Sequence, residues 1–327
     1  MATIKLAPAL ACGCTVVLKT SEKTPLSGLH LAKLVKEAGF PAGVVNIISG
    51  FGPTAGAAMA RHPDIDKIAF TGSTLTGKKI MQSAGETNLK RFSLELGGKS
   101  PLIVFDDADI GKALFCSHMG VFLNQGQVCS SSSRIFVQDT IYDKFVEEAV
   151  KMAKSIKIGP FTDPEATHGP LVDEIQFKRV VGYLEKGKAE GAHVAAGGKR
   201  HGDKGFFVEP TVFTNVTDDM SIAKEEIFGP VMSILKFSTD EEIVERANAT
   251  MYGLAAGIFS NNAGRALGIA NQLQSGTVWV NGYFMFDSAA PFGGYKQSGI
   301  GRELGEEGLS SWLETKCIML PLDGPKV

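Results

Sequence analysis

Cys129 and Glu95 are the residues whose type and setting can do covalent chemistry. Cys129 closes the run Phe122-Leu-Asn-Gln-Gly-Gln-Val-Cys129 and precedes Ser130 to Ser133. Small, polar, turn-forming neighbours let backbone N–H groups and polar side chains face the sulfur. Such surroundings favour the thiolate, the nucleophilic form. The alternative is an inert structural cysteine in a loop. Upstream, Phe92-Ser-Leu-Glu95-Leu-Gly-Gly-Lys-Ser-Pro101 sets a carboxylate inside an apolar strand that ends in two glycines. Strand interiors are depleted in Glu, and a buried carboxylate has to be paired or its pKa rises. A pKa near neutrality suits a base that activates water. The alternative is an edge-strand glutamate facing solvent. A cysteine nucleophile with a tuned carboxylate describes acyl transfer through a thioester.

Alternating strands and helices must position these two residues. Thr15 to Leu18, Val44 to Ile48 and Lys67 to Phe70 read as strands. Between them, Thr24 is expected to cap a helix with Pro25 at its first position and Leu26, Leu29, Leu34 and Val35 on its apolar face. The order predicts a parallel, helix-covered sheet up to about residue 97. The turn Thr71-Gly72-Ser73-Thr74 joins strand to helix and aims N–H groups at an anion. Its spacing is not the GxGxxG fingerprint, and any such turn needs a glycine. Gly299 to Gly305 is expected to be a loop entering a helix. A second α/β unit follows Pro101, with strands at Leu102 to Phe105, Arg134 to Gln138 and Thr277 to Val280. The stripes Ile141-Phe145-Ala149-Met152-Ile156 and Phe177-Val180-Val181-Leu184 have helical spacing and read as core. Thr239 and Glu242 form a capping box. Thr315 to Leu322 is strand-like and is expected to pair outside its own unit.

The chain's 327 residues suit two domains. A net charge of −2 gives no reason to expect nucleic acid or an anionic membrane. No apolar run approaches the about 20 residues of a membrane span. Five irregularly spaced cysteines argue for a reducing compartment over a disulfide framework. Cys12-Gly-Cys14 has no nearby Cys/His pair with which to hold a metal. The N-terminus has no secretory h-region and no Arg-rich transit character. It runs at once into helix-like sequence, so the chain is expected to start inside a domain.

Together these motifs resemble the NAD(P)-dependent aldehyde dehydrogenase family over almost the whole chain. Leu94 to Pro101 is similar to the family's glutamate signature and Phe122 to Cys129 to its cysteine signature. Phe70-Thr-Gly-Ser-Thr74, Glu225-Glu-Ile-Phe-Gly-Pro230 and Pro291-Phe-Gly-Gly-Tyr-Lys-Gln-Ser-Gly299 resemble three further family blocks. The style is nearest the cytosolic and mitochondrial enzymes acting on simple aldehydes and retinal. The resemblance implies that Cys129 attacks the aldehyde, that hydride leaves to NAD, and that Glu95 activates the water that hydrolyses the thioester. It implies cofactor contacts from Lys19, Glu22, Gly52, Pro53, Ser73, Gln176, Glu226 and Phe228. Glu22 would repel a 2′-phosphate and so favours NAD over NADP. Phe284, Met285, Phe286 and Phe292 would wall the substrate tunnel.

The implied fold is α/β: an incomplete Rossmann-type NAD domain over 1–97, an α/β catalytic domain over 98–297, and a C-terminal helix and oligomerisation strand over 298–327. Family members carry about a further third of chain before the point matching Met1. That part supplies the first strands, a dimer hairpin and an oxyanion asparagine. The expectation is a truncated, impaired enzyme, soluble in the cytoplasm or mitochondrial matrix, as a homo-oligomer or mixed with a full-length homologue. The rivals are a non-catalytic subunit pairing with such a homologue and a cofactor-independent thiol esterase.

Overall fold

A computed structural model describes residues 1–321. Its first part runs α1 (Ala2–Ala11), β1 (Val16–Lys19), α2 (Leu26–Glu37), β2 (Val45–Ile48), α3 (Ala57–Arg61), β3 (Lys67–Thr71), α4 (Thr74–Glu86) and β4 (Arg91–Glu95). The alternation matches the expected order of elements. The single parallel sheet does not form: β1 pairs only with β2, and β3 with β4, each in parallel. Among the described residues no strand lies between the two pairs, so the ladder is broken there. Thr24 is not a cap either. Pro25 itself occupies the N-cap with helical backbone and no side-chain cap bond. The apolar face of α2 stays uncovered, with Leu26, Leu29 and Leu34 at 80%, 42% and 45% exposure. Periodicity alone identifies such a face; burying it needs a partner surface.

The second part runs β5 (Pro101–Val104), α5 (Ile110–Phe122), β6 (Arg134–Gln138), α6 (Tyr142–Ser155), α7 (Glu174–Ala189), β7 (His193–Ala196), β8 (Thr211–Thr214), α8 (Ser221–Lys224), β9 (Val231–Phe237), α9 (Asp240–Asn248), β10 (Tyr252–Gly253), β11 (Ala255–Phe259), α10 (Ala263–Ala270) and β12 (Thr277–Val280). Its sheet has the order β12-β11-β5-β6-β9-β8-β7, parallel except at β7. Alternate side chains of a strand face opposite ways, so this sheet serves two cores. Ile103, Phe105 and Phe136 pack with Val180 and Leu184 of α7 on one face. Leu102, Val104 and Ile135 pack with Phe145 and Ala149 of α6 on the other. Both expected helical stripes are therefore core. In the capping box, the Glu242 N–H donates to Thr239 Oγ1 at 3.3 Å, while the Glu242 carboxylate accepts from the Ser238 N–H at 2.9 Å.

The last elements are β13 (Tyr295–Lys296), β14 (Gly299–Ile300) and α11 (Gly305–Ser310). The expected loop at Gly299 thus contains a short strand. It pairs antiparallel with β4, placing Gly299 opposite Glu95. Thr315 to Pro321 pair with no strand among the described residues, and Leu322 lies outside them. Ile318, Met319 and Leu320 are exposed.

One buried group predicts the acid limit of the fold. His168 is buried, and its Nε2 has no hydrogen-bond partner. Burial, then the neighbouring His118, pushes its pKa down to about 4. In the unfolded chain it takes up a proton near its ordinary value of about 6.5. This contribution is therefore whole above that value and is lost as pH falls from about 6.5 towards 4, about 3 kcal/mol in all. Urea melts of His168→Gln across this window should show a flatter pH dependence than the parent. An equal slope would contradict the assignment.

Candidate active site

The site forms where β4 ends. Glu95 is the last residue of that strand and is 4% exposed, so it does not face solvent from an edge. Its Oε2 has no partner. Close approach follows within two residues, and at Gly98 it is to backbone. A Cβ on Gly98 would lie 2.4 Å from the Cys129 carbonyl oxygen, and one on Gly97 would lie 2.5 Å from the Glu226 carboxylate. The Glu226 carboxylate accepts the Gly98 N–H at 3.1 Å. Absent side chains thus let Glu95, Cys129 and Glu226 converge on one turn.

Cys129 is held by an unusual loop. Asn124, Gln125 and Gly126 all have left-handed backbone, with φ of 50°, 57° and 68°. Consecutive residues there are costly and persist only where the surroundings hold them. The Asn124 amide donates to Gln127 O at 3.1 Å, and Gln127 Oε1 accepts the Val172 N–H at 3.0 Å. Beyond the cysteine, Ser131 Oγ donates to Gly120 O at 3.0 Å and the buried Tyr283 hydroxyl to Ser130 O at 2.8 Å.

The electrostatics correct one expectation. The loop is polar in sequence, yet the half-buried Cys129 thiol is pushed up to about 11 by burial, then by the charges of Glu95 and Glu226. Two carboxylates brought in by the tertiary structure oppose the thiolate. Limiting iodoacetamide at neutral pH is accordingly expected to label the exposed Cys317 before Cys129, with labelling at Cys129 rising as pH approaches about 11. Mass mapping that finds Cys129 labelled first would overturn this. The Glu95 carboxyl is raised to about 8 by burial, then by repulsion from Glu303.

Glu303 and Lys5 were not singled out by sequence reasoning. Lys5 of α1 and Glu303 form a largely buried ion pair. Lys5 and Arg302 offset part of the repulsion that Glu303 exerts on Glu95. Lys99 was missed as well. It is buried, its Nζ is unpartnered, and burial lowers it to about 7. Nothing in a lone Lys or Glu signals such placement.

The other candidate residues fall into three groups. Lys19 ends β1, and Glu22, Gly52, Pro53 and Ser73 follow the carboxyl ends of β1, β2 and β3, the edge at which open α/β sheets bind ligands. Lys19 Nζ donates to Thr20 O and Gly50 O, each at 2.8 Å, and stands 3.4 Å from Glu22. The Glu22 carboxyl, accepting first from Glu22's own backbone N–H, is held below its ordinary value. Ser73 caps α4, accepting the Thr76 N–H at 3.2 Å. On the facing side, Gln176 of α7 donates to Ile227 O at 3.1 Å and Phe228 O at 2.7 Å. Both of these donated bonds brace the loop that carries Glu226 and Phe228. Phe228 has a left-handed backbone, φ 59°.

Phe284, Phe286 and Phe292 join one aromatic cluster, which includes Trp279 and Tyr283, two members the sequence reading did not name. The Trp279 indole N–H donates to Met285 O at 2.8 Å. The cluster adjoins Cys129 and Glu95: Tyr283 bonds the Cys129 loop, and a Cβ on Gly293, next to Phe292, would lie 3.0 Å from the Glu95 carboxylate. Among the described residues, no group of three or more His, Cys, Asp or Glu could hold a metal, and no helix is long and apolar enough to cross a membrane.

Residues 1–318 match the aldehyde dehydrogenase family. An aldehyde dehydrogenase of Enchytraeus buchholzi is 57% identical over 318 residues, covering 97% of this chain and 64% of that protein. Aldehyde dehydrogenase 1A1 of Gallus gallus is 55% identical, again over 97% of this chain, and 62% of its own length is covered. The NAD+ complex of an aldehyde dehydrogenase from Bacillus cereus superposes with a TM-score of 0.97 at 54% identity, over 99% of this chain and 66% of that one. The chain thus spans less than two thirds of the length of the curated relatives it matches. With a family match along nearly its whole length and a fold that superposes on solved members, this chain belongs to the aldehyde dehydrogenase family.

Proposed function

We propose that the chain carries the reactive centre for NAD-dependent oxidation of an aldehyde to a carboxylic acid. The observation that supports this best is the convergence of Cys129, Glu95 and Glu226 on the Gly97-Gly98 turn. The donor set suits a dinucleotide: a carboxylate and an ammonium for ribose hydroxyls at Glu22 and Lys19, the capped start of a 13-residue helix at Ser73 for a diphosphate, and a half-buried carboxylate at Glu226 for the second ribose. When bound, NAD supplies the hydride acceptor.

The chain's residues do the rest. Cys129 gives its proton to solvent water, and its sulfur adds to the aldehyde carbon. The Cys129 backbone N–H offers a donor to the developing oxyanion. Once hydride has left the carbon, a thioester remains on Cys129. Glu95 then takes a proton from water as the oxygen attacks the thioester. The acid leaves and the sulfur is freed. The aromatic cluster holds the carbon chain of the aldehyde and keeps bulk water away.

Glu22 supports a preference for NAD over NADP, since its carboxylate would repel a 2′-phosphate. The uncovered apolar face of α2 and the exposed Ile318, Met319 and Leu320 support association with a second copy or a longer homologue. NADH formation from NAD and a simple aldehyde by the purified chain tests the main reading, with Cys129→Ala as the control. Ester hydrolysis by Cys129 with no NADH formed from any aldehyde would favour the thiol esterase reading instead.

A further inference from the structure

The proposed cofactor residues stand on two walls, and the walls are joined at both ends. At one end the join is backbone. The chain runs from Glu95 at the end of β4 straight into Gly98, whose N–H donates to the Glu226 carboxylate at 3.1 Å. At the other end it is made by side chains. Lys23, the residue after Glu22, places Nζ 2.5 Å from Oδ2 of Asp173. Among the described residues this is the only ion pair between residues 1–97 and 98–297.

Both partners are tied to cofactor residues. The Lys23 N–H donates to Ser21 Oγ at 3.2 Å, which folds the Glu22 loop on itself. Asp173 is the N-cap of α7, and its Oδ1 accepts the Gln176 N–H at 2.8 Å. The bond to Lys23 is the first cause holding the Asp173 carboxyl below its ordinary value. Gln176 in turn holds the carbonyls of Ile227 and Phe228, beside Glu226. An unbroken run of contacts therefore links the Glu22 loop to the Glu226 loop.

We propose that Lys23 and Asp173 are positioning residues that clamp the two walls around the bound dinucleotide and set how fast it leaves; the proposal rests on the NAD reading above. The side chains keep 40% and 27% of their exposure. A pair this open adds little to stability and is screened by salt. Such a contact suits a join that opens once per turnover.

The test is the rate of NADH release, followed by its fluorescence after dilution or displacement, in Lys23→Gln, Asp173→Asn and the double variant. Asn keeps a cap oxygen for α7, so the second variant removes charge and spares the helix. Release is expected to quicken about two- to fivefold in both single variants, with no further gain in the double. The gap from the parent should close near 1 M salt, where the Debye length is about 3 Å. A plain field effect on the diphosphate predicts opposite signs, because Lys23→Gln removes a positive charge and Asp173→Asn a negative one. Opposite signs, or unchanged release in a parent that binds NADH, would overturn the clamp and leave the cofactor reading standing. A parent that binds no NADH would overturn both.

Discussion

Glu95→Gln is expected to slow thioester hydrolysis by about 10²–10⁴-fold while sparing the acylation of Cys129 by an activated ester. A good leaving group needs no base on the water, whereas release of the acyl group does. With an ester that frees a coloured phenol, the burst should persist and the steady rate collapse. In the parent, the steady rate should rise with pH through about 8, because the base works as the carboxylate and burial with Glu303 holds it protonated below that value. The rise should move to lower pH in Glu303→Gln, where one source of repulsion is gone. A lost burst with an unchanged steady rate would contradict the role given to Glu95.

The same residue ties function to stability. Glu95 binds its proton more tightly in the fold than in the unfolded chain. Its contribution is therefore whole at pH below about 4.5 and is lost as pH rises through about 8. Above that pH Glu95→Gln should melt at a higher temperature than the parent, by an amount worth a few kcal/mol. Equal melting temperatures at pH 9 and above would show that the carboxylate is not buried at a cost.

Gly98→Ala is the second change with a large expected effect. Its Cβ would stand 2.4 Å from the Cys129 carbonyl oxygen and 3.4 Å from Leu254 Cβ. The near atom is backbone and cannot swing aside, so relief comes only by moving the Cys129 loop off the β4 turn. That displaces the sulfur from Glu95 and disturbs the N–H that Glu226 accepts. A shift of about 1 Å costs about a hundredfold in rate, and overpacking of this kind costs about 1–3 kcal/mol of stability. Gly182→Ala is the matched control. It lies within α7 with nothing within 4 Å of its Cβ position. Alanine there should raise stability by about 0.8–1 kcal/mol through helix propensity. Near-parental activity in Gly98→Ala, measured beside this control, would show that the glycine turn does not set the site.

Local patterns in the chain determined a good deal. Period-two and period-3.6 apolar spacing located β6 and β12 to the residue and the buried faces of α6 and α7, because burial of a repeating face is a local constraint. The paired glycines after Glu95 and the glycine in the Cys129 loop also marked the two turns that meet. Tertiary structure alone decided the rest. It set the charge state of Cys129, because Glu95 and Glu226 come from distant segments and a polar loop cannot reveal them. It brought Lys5 and Glu303 together behind Glu95, and Lys23 against Asp173, across most of the chain or half of it. It split the first sheet and left α2 uncovered, since a strand or an amphipathic face records what it needs and not whether a partner is at hand. Periodicity is written by each element's own neighbours; fields and contacts between segments depend on distances that appear only after folding.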